Sequence, residues 1–192
     1  TGNGFKVCRP GQLEYRDAQA RQEQLVEQRR GWTHDLLLLL EHPPVITLGR
    51  RTDPGHLLHS PATLARQGID CVATRRGGDV TLHSPGQLVG YPIVDLNRFG
   101  RDLHRYLRCL EQLLTATLAE FGISSTTRTG ATGVWVGKKK IASLGIAVRR
   151  WIAWHGFALN VSNDLSLFAS IIPCGLRDFA MTSMPQELCY CV

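Results

Sequence analysis

Long hydrophobic runs are missing from this chain. No uncharged apolar stretch approaches the roughly 18 residues of a membrane span, and the densest, Leu36 to Leu40, suits a buried strand instead. There is no secretory start: Thr1-Gly2-Asn3-Gly4 has no apolar core of the kind a signal peptide needs. Repeats, low-complexity tracts and linkers are also missing. The six cysteines (Cys8, Cys71, Cys109, Cys174, Cys189 and Cys191) contain no paired C-x-x-C, so a structural zinc site is not expected; Cys189-Tyr190-Cys191 is a lone C-x-C. With no secretory segment, reduced thiols in an intracellular compartment are expected. No G-x-x-x-x-G-K-[ST] loop is present to cradle phosphate. The basic residues are dispersed and no aromatic-basic module appears, which argues against nucleic acid. Acidic residues are the scarcer sign, 16 against 22 basic, for a formal net charge of +6. That fits a mildly basic soluble surface, and equally a surface that steers an acidic protein partner.

What is present reads as one domain over residues 1–192, long enough for a hydrophobic core. Gly11 to Arg30 is polar and rich in helix formers, which predicts a surface helix. Asp35 to Leu40 predicts a buried strand, Glu41-His42-Pro43-Pro44 a turn, and Val45 to Leu48 a second strand that Gly49-Arg50-Arg51 leaves. A short helix is expected over Pro61 to Gln67, and strands at Cys71 to Thr74, Val80 to His83 and Leu88 to Val94. Arg101 to Phe121 is the clearest helix, with Leu103, Tyr106, Leu107, Leu110, Leu113, Leu114, Leu118 and Phe121 on one stripe and Gly122 as its stop. Strands follow at Val134 to Val136, Lys140 to Val148 and Ala153 to Val161. Asp164 then caps a short helix from Leu165 to Ile172. The pattern is a sheet with helices packed on it.

Chemistry concentrates in four stretches. In Arg75-Arg76-Gly77-Gly78-Asp79-Val80-Thr81-Leu82-His83, strand alternation puts Val80 and Leu82 on a core face and Thr81 and His83 on the other. Paired glycines there point to close approach by a ligand or another backbone. With Gly145 and Gly156 on later strands, Gly77 and Gly78 are expected to shape a narrow slot. Lys140 closes a run of three lysines, and on a regular strand it shares an apolar face with Ala142, Leu144, Ile146 and Val148. Desolvation there favours loss of its proton, and a lysine near a thiol can act as base and hold the thiolate. Cys174 lies between Pro173, which stiffens the approach, and Gly175, which leaves room beside the sulfur. Arg75 and Arg76 could instead bind phosphate. His155 and His42 are further histidines, the second in the prolyl turn.

These stretches, with His155-Gly156-Phe157-Ala158-Leu159-Asn160-Val161, resemble the lipoyl(octanoyl) transferases, from about Val7 to Leu188. That family shares a superfamily with the lipoate and biotin protein ligases, whose α+β fold the resemblance implies: a mixed or antiparallel sheet flanked by helices. It implies Cys174 as the nucleophile that takes the acyl group as a thioester, and Lys140 as acid and base. It places the substrate along Arg76, Gly77, Gly78, Asp79, Val80, Thr81, Leu82 and His83, along Ser143, Leu144 and Gly145, and along Gly156, Phe157 and Ala158. Backbone N–H groups near Leu144 and Gly145 become candidates for an oxyanion hole. The chain reads His83-Ser84-Pro85-Gly86 where the family commonly has glycine second. The implied donor is octanoyl-acyl carrier protein. The implied acceptors are lipoyl domains of 2-oxoacid dehydrogenase complexes and the glycine cleavage H protein. No metal, cofactor, nucleic acid or membrane is implied, and the compartment would be cytoplasm or mitochondrial matrix. An ATP-dependent lipoate-protein ligase and a lipoyl or octanoyl amidotransferase are the competing enzyme readings. A module that only docks acidic partners is the non-enzymatic one, and it leaves Cys174 and Lys140 without a role. Against the family, the chain is expected to lack its native start, since it does not begin with Met, and to stop before a C-terminal helix.

Overall fold

Two sheets carry the fold in the computed structural model, which describes residues 4–29, 32, 34–173 and 179–188. The larger sheet has seven strands. In chain order these are β1 (Phe5–Gln12), β2 (Asp35–Glu41), β6 (Gln87–Asp95), β7 (Thr126–Arg128), β8 (Ala131–Val136), β9 (Lys139–Arg149) and β10 (Ile152–Asn160). Their spatial order is β1-β2-β6-β10-β9-β8-β7. The β1–β2 pair is parallel and all other neighbours are antiparallel. The smaller sheet, in order β4-β3-β5, joins β3 (Val45–Leu48), β4 (Asp70–Ala73) and β5 (Thr81–His83). The architecture is α+β and mixed, as the family resemblance implied.

Two helices sandwich the large sheet. Helix α1 (Tyr15–Gln28) buries Tyr15, Ala18, Gln22, Leu25 and Val26, a stripe at helical spacing. It packs with Val89, Tyr91 and Ile93 of β6 and Ile152, Trp154 and Ala158 of β10. Helix α3 (Leu103–Glu120) starts at Asp102, whose carboxylate accepts from the Arg105 N–H at 3.0 Å. Its Leu114 and Leu118 pack with Val134, Ile141, Phe157 and Leu159 on the opposite face. Strand β10 sends Ile152, Trp154 and Ala158 to α1 and Ala153, Phe157 and Leu159 to α3, while the His155 ring stacks on Trp154 and breaks the alternation; all nine residues are buried. Helix α2 (Pro61–Arg66) and a 3₁₀ turn at Leu165–Ser170 cover the small sheet. A short α4 (Met184–Glu187) closes the described chain.

Several boundaries differ from the sequence reading. The helix expected over Gly11 to Arg30 begins only at Tyr15, because Gly11 and Gln12 complete β1. Strand β1 was not legible: it is exposed throughout and shows no alternation. The expected helix from Leu165 to Ile172 is a 3₁₀ turn, although Asp164 caps it as expected, accepting from the Ser166 N–H at 2.9 Å. Strand β7 and helix α4 also went unread, each too short to show a period.

Candidate active site

Two clefts meet over the middle of β9. The inner one is lined by Tyr15, Arg76, Gly78, Asp79, Val80, Thr81, His83, Tyr91, Ser143, Leu144, Gly145, His155, Gly156, Phe157 and Ala158. It encloses about 480 Å³ of empty space, its open mouth included. The outer one, about 1310 Å³ on the same measure, runs between the Arg51 and Gly77–Asp79 loops, the start of α3 at Leu103, His104 and Leu107, the start of β8, and Lys140. The clefts share Gly78, Asp79, Leu144 and Gly145. Twelve of the fourteen residues expected to touch substrate line the inner cleft. The exceptions are Gly77, which lines the outer cleft, and Leu82. Leu82 is fully buried in the core of the small sheet, the face its alternation with His83 requires.

The loop that carries Arg76 and Gly77 lies directly on β9. Gly77 donates its N–H to the Ile146 carbonyl at 2.8 Å. A Cβ on Gly145 would sit 2.9 Å from the Gly77 oxygen, so these two glycines let backbones touch rather than open a slot between them. This corrects the expectation of a glycine-walled slot at that point. Arg76 is buried, and its guanidinium is engaged with Thr47: Nη2 donates to the Thr47 carbonyl at 2.5 Å and Nε to its Oγ1 at 3.1 Å. These bonds fasten the loop to β3 and give Arg76 a structural task in place of the suggested phosphate contact. Asp79 accepts from His56 Nδ1 at 2.5 Å, an ion-pair geometry.

The Ile146 carbonyl points away from β10. Alternation turns the backbone groups of Leu144 to the same open edge, whereas Gly145, paired with Gly156, turns its own to β10. Strand β8 pairs with β9 only as far as Ala142, so beyond it this edge of β9 faces the outer cleft. Of the two amides considered for an oxyanion hole, Leu144 therefore has the suitable direction and Gly145 does not.

Rings line the inner cleft, and burial keeps them neutral. His42, behind the wall, is pushed down to about 4 and His155 to about 3, in both cases chiefly by loss of water and, for His155, secondarily by Arg76. His83 is lowered well below its ordinary value, first by burial and then by His42. Burial raises Tyr15 to about 12 and pushes Tyr91 well above its ordinary range. The result is a mostly uncharged cleft built from polar residue types. His155 carries a strained backbone, φ 56°. The register against β6 breaks between Ala153 and Phe157, and there the His155 N–H goes to Gln22 Oε1 of α1 at 2.9 Å. Neither ring nitrogen of His155 has a partner among the described residues. The sequence reading gave His155 only weak support and did not identify Tyr15, Tyr91 or His56.

Lys140 is buried at 2% exposure. Its Nζ lies 5.2 Å from the ring centroid of Trp135 and 5.9 Å from that of Phe179. Lys140 lines the outer cleft with Leu144 and Ile146, as the predicted common face requires, although the register against β8 shifts beside it. Val134 pairs with Ala142 but Trp135 pairs with Lys140, a bulge in the pairing. Cys174 lies outside the described residues, as do Gly175 and Leu176; the flanks are described. On one side Ile172 donates its N–H to the His56 carbonyl at 2.8 Å, beside the residue that holds Asp79. On the other, the Lys140 N–H donates to the Ala180 carbonyl and the Thr182 N–H to the Lys140 carbonyl, both at 2.9 Å. Among the described residues no cluster of His, Cys, Asp or Glu could hold a metal ion, and no helix is long and apolar enough to cross a membrane.

A family model described as the lipoyl protein ligase A/B catalytic domain matches residues 14–190. An octanoyltransferase of Geobacter metallireducens is 51% identical over 179 residues, covering 93% of this chain and 81% of that relative. One of Gloeobacter violaceus is 53% identical over 172 residues, covering 88% and 75%. Among solved structures, lipoate-protein ligase A bound with ATP matches with a TM-score of 0.77 at 14% identity, covering 98% of this chain and 78% of that one. That last likeness shows the fold alone. The identity to curated relatives shows more: the chain belongs to the octanoyltransferases, transferase enzymes built on the lipoyl protein ligase A/B catalytic domain.

Proposed function

We propose that this chain moves an octanoyl group from octanoyl-acyl carrier protein to a lysine of lipoyl domains, through a thioester on Cys174. The observation that carries this reading is the convergence of three features on one junction. A narrow neutral cleft opens there into a wider one, Lys140 lines the wider one, and the flanks of Cys174 are tied beside Asp79 and to Lys140.

Lys140 takes the proton of the Cys174 thiol, and the thiolate attacks the carbonyl carbon of the donor thioester. The octanoyl chain lies in the inner cleft and the carrier's thiol-bearing arm in the outer one. The Leu144 N–H faces the oxygen of the tetrahedral species. As the carbon–sulfur bond to the carrier breaks, Lys140 returns its proton to the departing thiolate. The carrier leaves, and the amine of the target lysine attacks the new thioester. Lys140 takes up the amine's proton and passes it to the Cys174 thiolate as the carbon–sulfur bond breaks, so that the amide forms and the thiol is regenerated. Exchange of one thioester for another is nearly isoenergetic, so the first half needs no nucleotide. The net charge of +6 favours acidic partners on both halves, and the compartment, cytoplasm or matrix, follows from where they occur.

Intact mass after mixing with octanoyl-acyl carrier protein tests the reading. One added octanoyl group without ATP, lost in Cys174→Ser, is the expected result. Labelling that persists in the variant, or that demands ATP, contradicts it.

A further inference from the structure

His83, Gln87 and Asn160 form a chain of hydrogen bonds whose direction can be read from one end. Thr182 supplies that end. Its N–H is given to the Lys140 carbonyl, and its own carbonyl, which can only accept, receives Asn160 Nδ2 at 2.9 Å. Asn160 must therefore turn Oδ1 the other way, where it accepts from Gln87 Nε2 at 2.8 Å. The same Gln87 nitrogen donates to the Leu82 carbonyl at 3.2 Å, a second acceptor that excludes the flipped amide. Gln87 is left with Oε1 toward His83, whose Nδ1 lies 2.8 Å away and must donate. A neutral imidazole that donates from Nδ1 carries a bare lone pair on Nε2. No partner of Nε2 exists among the described residues, and His83 lines the inner cleft. All three side chains are buried, at 6%, 2% and 1% exposure, so water does not compete along the chain. Tyr15 stacks on the ring with centroids 5.9 Å apart, and His42 meets it edge-on at 5.6 Å, so the ring plane is fixed as well.

We infer that Gln87 and Asn160 are positioning residues: they hold His83 in the Nδ1–H tautomer, so that Nε2 presents a hydrogen-bond acceptor to the N–H of the incoming amine. The same chain ends on the strand segment bonded to Lys140, so one buried network sets both the acceptor nitrogen and the lysine's backbone. His83 so held cannot donate to a developing oxyanion, which leaves that task to N–H groups such as Leu144. The inference rests on the proposed octanoyl transfer only for its second half.

The test uses ¹⁵N-histidine-labelled protein and long-range ¹H–¹⁵N correlation, which separates the two tautomers. Wild type should show His83 protonated at Nδ1 and bare at Nε2. Gln87→Leu, close in volume, should release the lock, giving a mixture or the Nε2–H form. Gln87→Glu should keep the Nδ1 partner but lose both donations, and its charge should draw a second proton onto the ring. Transfer from preformed octanoyl-enzyme to a lipoyl domain should fall about tenfold or more in Gln87→Leu, with the acylation half much less affected, as loss of one aligned hydrogen bond implies. An Nε2–H tautomer in wild type overturns the inference. So does a tautomer indifferent to both substitutions, or a released lock with unchanged transfer. Wild type that takes up no octanoyl would fell the transfer reading, and the tautomer measurement would still decide the lock. Melting curves of the variants separate lost positioning from lost folding.

Discussion

The two clefts share four residues and little else. The inner one is walled by buried rings and the backbone of β10, a strand with no exposed residue. The outer one is bounded by loops, the first turns of α3 and the edge of β9 beyond its pairing with β8, where the Ile146 carbonyl accepts from Gly77. A rigid, neutral wall suits a group that enters once per cycle and must be measured for size. On the proposed transfer, a cleft bounded by loops and a strand edge suits parts that must exchange, first a carrier arm and then a peptide lysine. On the same proposed function, the difference would assign chain length to the inner cleft and partner choice to the outer one.

The largest effect that would sharpen this division is at the junction. Lys140→Ala should slow acylation of Cys174 about 10²–10⁴-fold, the range for removal of a general acid–base. Lys140→Met, which keeps the packing on Trp135, should be equally slow with a higher melting temperature. A normal rate in either would take Lys140 out of the chemistry. The expected reactivity profile of the thiol against pH should also move upward in both, read with iodoacetamide.

Next comes the inner wall. Ala158→Leu adds bulk where Ala158 is 4% exposed, and overpacking of this kind costs about 1–3 kcal/mol of stability. Octanoyl uptake should fall about tenfold or more while butanoyl uptake persists, because steric exclusion acts on the longer chain. Leu107→Ala, in the outer cleft, should leave that ratio unchanged and alter only the dependence on carrier concentration. Equal loss of both chain lengths in Ala158→Leu would break the division between the clefts.

Gly78→Val makes a different point from the one its sequence suggests. A slot for an alkyl chain predicts a folded but blocked enzyme. Gly78, however, has φ 86°, and a Cβ there would meet nothing closer than 3.6 Å. The glycine serves backbone conformation, so substitution should cost roughly 1–2 kcal/mol of left-handed strain, seen as a lowered melting temperature. Gly145→Ala is the substitution that should lift the Arg76–Gly77 loop off β9 and cost activity first.

Particular residues show what was legible. Val80 and Leu82 against Thr81 and His83 could be assigned from alternation alone, because a strand repeats every two residues. The Asp164 cap was equally plain, but the α3 stripe was read too wide: Tyr106, Leu110, Leu114 and Leu118 are buried, whereas Leu103, Leu113 and Phe121 are exposed. His155 was not, because its conformation goes with a break in register against β6 and with Gln22 on a helix, and no local pattern reveals register. His56 and Tyr91 join the site through long-range contacts in the same way, and Tyr15 reads in sequence as one more helix residue. Lys140 was placed with Leu144 and Ile146 by parity, and all three line the outer cleft; only the register shift against β8 beside it left no sequence signature.

A separate effect, on stability alone, is expected in acid. The ordinary histidine value is 6.5, and burial lowers His42 to about 4 and His155 to about 3. Between 6.5 and those values the unfolded chain binds protons that the native one refuses, so stability rises with pH through that window and is complete above it. Each ring should contribute about 1.4 kcal/mol per pH unit within the window. Urea unfolding from pH 7 to pH 4 should show this loss, and His42→Asn should flatten part of the slope.

The division between the clefts is tested most directly by locating the chain itself. Octanoyl-enzyme prepared with a ¹³C-labelled terminal methyl group would be examined by isotope-filtered NOE spectroscopy. Contacts from that methyl to the rings of Tyr15, Tyr91 or Phe157 are the result expected. Contacts to the methyl groups of Leu103 and Leu107 would put the acyl chain in the outer cleft and contradict the account.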